Sequence, residues 1–469
     1  GGMEPGPRET DALLAASGDG GARSGQERRG TVSSSVLNLV MSAIGAGILS
    51  MPYSLVGTGV LPGIGFLVLT ALCTLWSLDL LEATYRHLSA RGAVTGEWNL
   101  ASFEGLGGAV GGPIMATFVR LCLVVSLYFA QVVFIVLLGD LVAPVVAYAA
   151  PGAFLARRWV CMAFGCLLVY PMALLDNLTS LQHASLGGLL CLGYLVVALL
   201  AVAGQRIAAG ARSDFQWVAW PPTRAALYVP SLQGLAFCCQ FNMPPLMGEM
   251  RHPSKAAVRA VKWMSVAIAL SLYMAVAFVG YVTFGSDTNG DILRQNFDIR
   301  DRAITVGRIG LAFTLVLKYP LILQPMRSTL NGLLGIDGTV GDGEEGAYAR
   351  LDGDAEAPQS GDTEQLHGSG EQGSGRTKKE KVVSLFVALE TAFIMGTALF
   401  VSAVIPNVQQ VFSLAGALSG GVVCFNLPAY YALAAPLPGA WDRTKAWVIN
   451  VFGVVVTIVS LVVSVMDLA

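Results

Sequence analysis

Charge is what this chain has least of. Of its 469 residues, 13% are Asp, Glu, Lys or Arg, and 54% are hydrophobic. A soluble domain carries about 25% charged residues. With a mean hydropathy of +0.62, the chain reads as an all-α integral membrane protein whose first partner is the lipid bilayer. The net charge is −2, so the basic excess that nucleic-acid binding needs is missing. Cysteine chemistry is lacking too. The eight cysteines (73, 122, 161, 166, 191, 238, 239 and 424) all fall in apolar stretches, which argues against a disulfide framework or a zinc site. His87, His183, His252 and His367 show no metal spacing. The glycine-rich run Gly105–Gly112 lacks the Lys-Ser/Thr ending of a phosphate-binding loop and reads as a flexible approach to the membrane. No nucleophile constellation is visible, so the chain is not read as an enzyme, and no cofactor or metal is expected. Residues 1–32 are polar and Gly-rich, and read as a disordered cytoplasmic tail without a secretory leader.

What is present is a series of apolar windows. Eleven candidate spans lie near 33–57, 61–88, 112–147, 158–178, 182–204, 228–249, 258–284, 303–327, 382–405, 408–435 and 443–467. Arg251, Lys255, Arg259, Lys262, Arg327, Lys378, Lys379, Lys381, Arg443 and Lys445 fall on one side, which the positive-inside rule makes cytoplasmic, together with the N-terminus. The acidic loop 286–302 falls on the other side; Arg157, Arg158, Arg206, Arg212 and Arg224 run against the rule. Asn177-Leu178-Thr179 matches a glycosylation acceptor but faces the cytoplasm in this topology. Loop 329–381 is rich in Gly, Ser, Asp and Glu and reads as disordered. A tolerated insertion is the plain explanation; a regulatory loop is the alternative.

Two spans are interrupted. Span one carries Gly45-Ala46-Gly47-Ile48, with Pro52 five residues beyond Gly47. Glycine costs about 1 kcal/mol relative to alanine inside a helix, and freed backbone at membrane depth persists only when buried in protein or lining a cavity. Close packing through small residues is the alternative. Span six reads Phe237-Cys238-Cys239-Gln240-Phe241-Asn242-Met243-Pro244-Pro245, and adjacent prolines break a helix. Paired broken helices in corresponding positions of two halves point to an inverted-repeat transporter.

At this point the residues resemble the amino acid/auxin permease family, which includes sodium-coupled neutral amino acid transporters of animals and vacuolar amino acid transporters of yeast. The resemblance is carried by Asn38-Leu39 through Gly45–Leu49 with Pro52-Tyr53, by Gly139-Asp140, and by Pro230 through Glu249. It continues with Gly280–Gly285, Tyr319-Pro320 through Pro325-Met326-Arg327, Pro406-Asn407-Val408 and Val411–Ala417. Each motif alone is weak; their order over about 33–435 is specific. The resemblance implies a LeuT-like fold: a first inverted repeat over 33–204, a second over 205–435, and an eleventh helix over 436–469. It implies transport of small neutral amino acids by alternating access. The substrate carboxylate would meet N–H groups near Gly45, Ala46, Gly47 and Ile48. The ammonium would meet carbonyls of Phe237, Cys238 and Cys239. Gln240, Asn242, Tyr128 and Phe412 would shape side-chain selectivity, although Tyr128 and Phe412 suit plain packing and the two amides suit their own broken helix.

The chain departs from the sodium-coupled members at two positions. Where they carry Asn and Thr, it has Met41 and Lys318. A thioether is a poor ligand for a hard cation, and an ammonium repels one. Backbone carbonyls at Met41 and Ile44 could still face that site. Lys318 lies nine residues inside Arg327, about 13 Å by helix rise, and an intramembrane charge marks a functional site by default. Its ammonium is expected to replace sodium, favouring H+ over Na+ as the coupling ion; a structural ion pair or snorkelling is the alternative. Glu390 is a possible partner, Glu249 a possible cytoplasmic gate with Arg251, and Asp79 and Glu82 possible partners of Arg86. An amino acid sensor that transports little, or a sodium-coupled transporter, are the competing functions. Either the plasma membrane or a vacuolar or lysosomal membrane fits, and the sequence names no protein partner.

Overall fold

Hydrocarbon offers backbone N–H and C=O groups no partner except one another, so long apolar runs close into helices. The computed structural model describes residues 31–91, 98–174, 179–210, 213–250, 253–295, 297–335, 378–405, 408–437 and 439–468. Most of the expected N-terminal tail and of loop 329–381, together with Asn177 and Arg251, lies outside the described residues. The helices in order are α1 (Val32–Ala43), α2 (Val60–Ala90), α3 (Phe103–Ala149), α4 (Arg158–Ala173), α5 (Thr179–Ala208), α6 (Val229–Ala236) and α7 (Met243–Glu249). There follow α8 (Lys255–Phe284), α9 (Ile292–Gln295), α10 (Arg302–Leu334), α11 (Lys378–Val404), α12 (Val408–Ala415), a π-helical stretch Gly416–Asn426, α13 (Leu427–Ala434) and α14 (Ala440–Leu468).

Among the described residues, eight helical stretches are long and apolar enough to cross a membrane, or nine if the bent pair at span one counts as a single span. The eleven expected spans are therefore not eleven uninterrupted helices. Span one bends by 52° between Val32–Ala43 and Gly47–Leu55. Span four is α4, only 16 residues long. Span six divides into α6 and α7, of 8 and 7 residues. Burial separates inner from outer helices. The span-ten window Gln409–Ala434 is 78% buried, against 28% for α11 and 33% for α14. Phe393, Phe400, Trp447 and Val451 on those outer helices stand exposed, as a lipid-facing belt requires.

Two local features differ from expectation. Of the expected flexible approach 105–112, residues 105–111 are helical, in a helix started by Ser102, whose hydroxyl accepts from the Gly105 N–H at 3.0 Å. Gly112 (φ +71°, ψ −169°) then turns the chain into span three, a conformation a side chain disfavours. Glycine content misled because these glycines serve close contact: a Cβ on Gly108 would lie 2.3 Å from the Trp98 ring. The second feature is the π stretch, a rare arrangement frequent at functional sites. It presses against α6, where a Cβ on Gly416 would lie 2.6 Å from the Ser231 carbonyl.

Polar fastenings hold both ends of the bundle. At one end Lys262 Nζ lies 2.5 Å from Asp79 Oδ1 and 2.5 Å from Glu82 Oε2. Arg86 Nε joins Glu82 Oε1 at 2.8 Å, and Lys445 reaches Asp79 at 3.5 Å. α2, α8 and α14 are thus tied together. At the other end buried Arg308 donates to the carbonyls of Leu293 and Phe297, the latter at 2.8 Å. Ser50 Oγ donates to the Gly290 carbonyl at 2.5 Å, so the loop between α8 and α10 is pinned to the second half of span one.

Candidate functional site

The last four carbonyls of a helix have no acceptor role within it, and in a membrane each needs another donor. α1 ends in mid-span, so the donors that meet its end define a site. Val40 O accepts from the Ile44 N–H at 2.7 Å. Met41 O lies 3.3 Å and Ile44 O 3.5 Å from Lys318 Nζ. Ala43 O accepts from the Tyr273 hydroxyl at 2.6 Å. Two side chains from two other helices, α10 and α8, thus meet this end.

Beyond Ile44 the chain passes Gly45 and resumes as a 3-10 turn, Ala46–Ser50. Packing does not demand these glycines. A Cβ on Gly45 would meet nothing within 4 Å, and one on Gly47 only ordinary contact with Ala236 at 3.6 Å. The small-residue packing alternative therefore lacks its close approach, and space lies beside the break. Turn geometry leaves the N–H groups of Ala46 and Gly47 without partners in the turn. The N–H of Ile48, also expected at the carboxylate, reaches Gly45 O at 3.4 Å within the turn.

The break in span six spans Phe237 to Asn242. The prolines do not make it: Pro244 and Pro245 start α7, where the missing N–H groups would have been unpaired anyway. Cys238 N–H donates to Leu235 O at 3.1 Å, and Cys239 O accepts from the Asn242 N–H at 3.1 Å. The Cys239 carbonyl is thus partly engaged. Gln240, fully buried, turns its Oε1 to the Cys239 N–H at 2.8 Å, serving its own broken helix. Asn242 Nδ2 instead donates to Ser42 Oγ at 2.7 Å, joining span six to span one.

Lys318 is partly buried, and its ammonium sits at the negative end of the α1 dipole. The structure brings together Met41, Ile44 and Lys318, the positions where the resemblance places a cation. It does not bring Glu390 there. Asn331 Nδ2 donates to Glu390 Oε2 at 3.4 Å, and Asn331 lies 13 residues beyond Lys318 on α10, about 20 Å by helix rise. Glu249 is exposed at the end of α7, and its expected partner Arg251 lies outside the described residues. Phe412 is 2% exposed in the core. Tyr128 is half-buried, edge-on to Phe129 with centroids 5.8 Å apart. Both fit the packing alternative. Tyr273 was not anticipated, and its only sequence signal is a polar atom in mid-span. Lys262 and Arg308 lie seven and six residues, about two turns, inside α8 and α10, which marks them as more than boundary charges.

A family model described as transmembrane amino acid transporter protein matches residues 28–469. The chain belongs to that family. Among its relatives, vacuolar amino acid transporter 7 of Saccharomyces cerevisiae is 26% identical over 307 residues, covering 64% of this chain and 59% of that protein. Vacuolar amino acid transporter 6 of the same organism is 28% identical over 314 residues, covering 65% and 66%. These alignments span less than two thirds of either relative. Among solved structures, the crystal structure of MhsT in complex with L-phenylalanine matches with a TM-score of 0.48 at 12% identity, covering 94% of this chain and 100% of that one. Membership of the transmembrane amino acid transporter family agrees with the motif resemblance read over 33–435.

Proposed function

We propose that this chain moves small neutral amino acids across a membrane by alternating access, coupled to protons and independent of sodium. The observation that carries the reading is the Lys318 ammonium, 3.3 and 3.5 Å from the Met41 and Ile44 carbonyls at the unwound end of span one. A protonated Lys318 does there what a monovalent cation would do, holding the negative end of α1 against α10. When the amine gives up its proton that charge is lost, and α1 is freed to move. A proton taken from one side and released to the other then couples to the movement of the break. The substrate fits as a zwitterion. The N–H groups of Ala46 and Gly47 favour its carboxylate, and the carbonyls of Phe237 and Cys238 favour its ammonium. With both charges met by backbone, the neighbouring Gln240 and Asn242 amides suit an uncharged side chain.

A vacuolar or lysosomal membrane with the N-terminus in the cytoplasm fits this reading, supported by the names of the yeast relatives. The test is uptake of radiolabelled alanine and glutamine into proteoliposomes under a proton gradient, a sodium gradient or neither, for wild type and Lys318→Thr. Proton-driven accumulation that is lost or made sodium-sensitive in Lys318→Thr is expected. Sodium-driven accumulation by the wild type would refute the coupling. Binding without accumulation would make the chain a sensor.

A further inference from the structure

Two half-helices end at almost the same place. Ala43 is the last residue of α1 and Ala236 the last of α6. Each end presents carbonyls that no N–H of its own helix can reach, and the negative pole of a helix dipole. Two such ends repel unless something positive stands between them. Between the Ala43 and Ala236 carbonyls stands a hydroxyl. Tyr273 Oη donates to Ala43 O at 2.6 Å and is shared with Ala236 O at 2.9 Å. The side chain is fully buried, and the Phe237 ring meets it edge-on, centroids 5.2 Å apart at 89°. Tyr273 sits in the middle of α8, which is also tied to α1 by Ser265 Oγ donating to Val36 O at 3.3 Å. The clamp therefore joins both breaks to a third, continuous helix.

We propose that Tyr273 is a positioning residue for the amino acid: its hydroxyl sets the separation of the two helix breaks, and so the distance between the N–H groups at Ala46 and Gly47 and the carbonyls at Phe237 and Cys238. This inference rests on the amino acid reading above. A zwitterion is rigid across its two charged ends, so a cradle with one half on each broken helix works only at one separation. Preorganisation of that kind tightens binding without adding a contact. Tyr273 divides the work at the end of α1 with Lys318. Lys318 holds carbonyls that face α10, where coupling is proposed, and Tyr273 holds the carbonyl that faces span six. Its role does not depend on the coupling ion.

The experiment is equilibrium binding of radiolabelled alanine and glutamine to the full chain in nanodiscs, for wild type, Tyr273→Phe, and a chain with 3,5-difluorotyrosine at 273. Ser271→Ala is the control, an exposed hydroxyl on the same helix that bonds its own Ala267 carbonyl at 2.8 Å. Tyr273→Phe is expected to weaken binding of both amino acids by about tenfold, or about 1.4 kcal/mol. Difluorotyrosine keeps the shape but donates more strongly, and is expected to tighten binding at least twofold. A residue that merely fills space would not respond to donor strength. If Tyr273→Phe does not fold, the difluorotyrosine chain decides: a shift of twofold or more supports the inference, and an unchanged affinity overturns it. A wild type that binds while Tyr273→Phe binds equally well removes the inference alone. A wild type that binds neither amino acid removes the amino acid reading and the inference with it.

Discussion

Replacing Lys262 with Met removes a cation that faces two carboxylates at once. Its side chain is 4% exposed, that of Glu82 12% and that of Asp79 36%. Taking one member from a buried ion pair costs about 3–5 kcal/mol, because the other charge is left uncompensated. Two features lower that figure here. Arg86 stays 2.8 Å from Glu82 Oε1, and Lys445 stays 3.5 Å from Asp79 Oδ2. Asp79 is also exposed enough for water to screen it. The expected loss is about 2–3 kcal/mol, most of it from Glu82. Adding Glu82→Gln should recover part of that loss, since the neutral amide no longer needs the lysine. The two changes should therefore be non-additive by about 1 kcal/mol or more. The assay is reversible unfolding in mixed micelles by SDS for wild type, both single variants and the double variant. A cost below about 0.5 kcal/mol for Lys262→Met, or strict additivity in the double variant, would refute the reasoning.

Glu390→Gln should leave ion coupling unchanged in proteoliposome uptake, because Glu390 pairs with Asn331 far along α10 from Lys318; an altered proton dependence would count against the geometry. Gly112→Ala should destabilise the chain by about 1–3 kcal/mol, since the turn into span three sits where L side chains are strained; unfolding in mixed micelles reads it. Asn242→Ala should weaken amino acid binding severalfold by cutting the bond from span six to Ser42, and equilibrium binding measures this. Two hydrogen bonds from Ser286, the hydroxyl first, hold the exposed Asp214 carboxyl below the usual carboxylate range. Its folded value is depressed, so its contribution is complete above the free carboxylate value of about 3.9 and is lost only as pH falls through the lower folded one. Hydrogen exchange at the Ser286 amide, corrected for intrinsic rate, should stay flat from about pH 7 to about pH 5, both above that range; Asp214→Asn should expose it at both.

Much of the site was legible because its residues break local rules. Glycines in mid-span, adjacent prolines and a lysine nine residues inside a boundary arginine are each out of place in lipid, and each marked a break or a polar group needing a partner. The partners were less legible. Glu390 and Lys318 share a plausible depth by residue counting, yet they lie on helices whose relative rotation and slide are set by packing. Pro244 and Pro245 located span six's interruption to within a few residues, but a proline's effect depends on whether a helix is already running when it arrives; here it is just starting. The glycines at 105–111 looked like flexibility because composition does not reveal which neighbours crowd a backbone. Tyr273 was invisible for the same reason, since one tyrosine in an apolar helix has no pattern of its own.

Membrane insertion, the positions of the breaks and the singularity of Lys318 follow from properties carried by short stretches of chain: hydropathy, helix propensity and the cost of a charge in hydrocarbon. They need no knowledge of what lies alongside. Which donor meets which orphaned carbonyl is a matter of angles and fractions of a helical turn between elements far apart in the chain. Lys318 is 277 residues from Met41, and Tyr273 is 230 from Ala43. Hydrogen bonds fail over less than 1 Å, so those pairings were settled only when the helices packed.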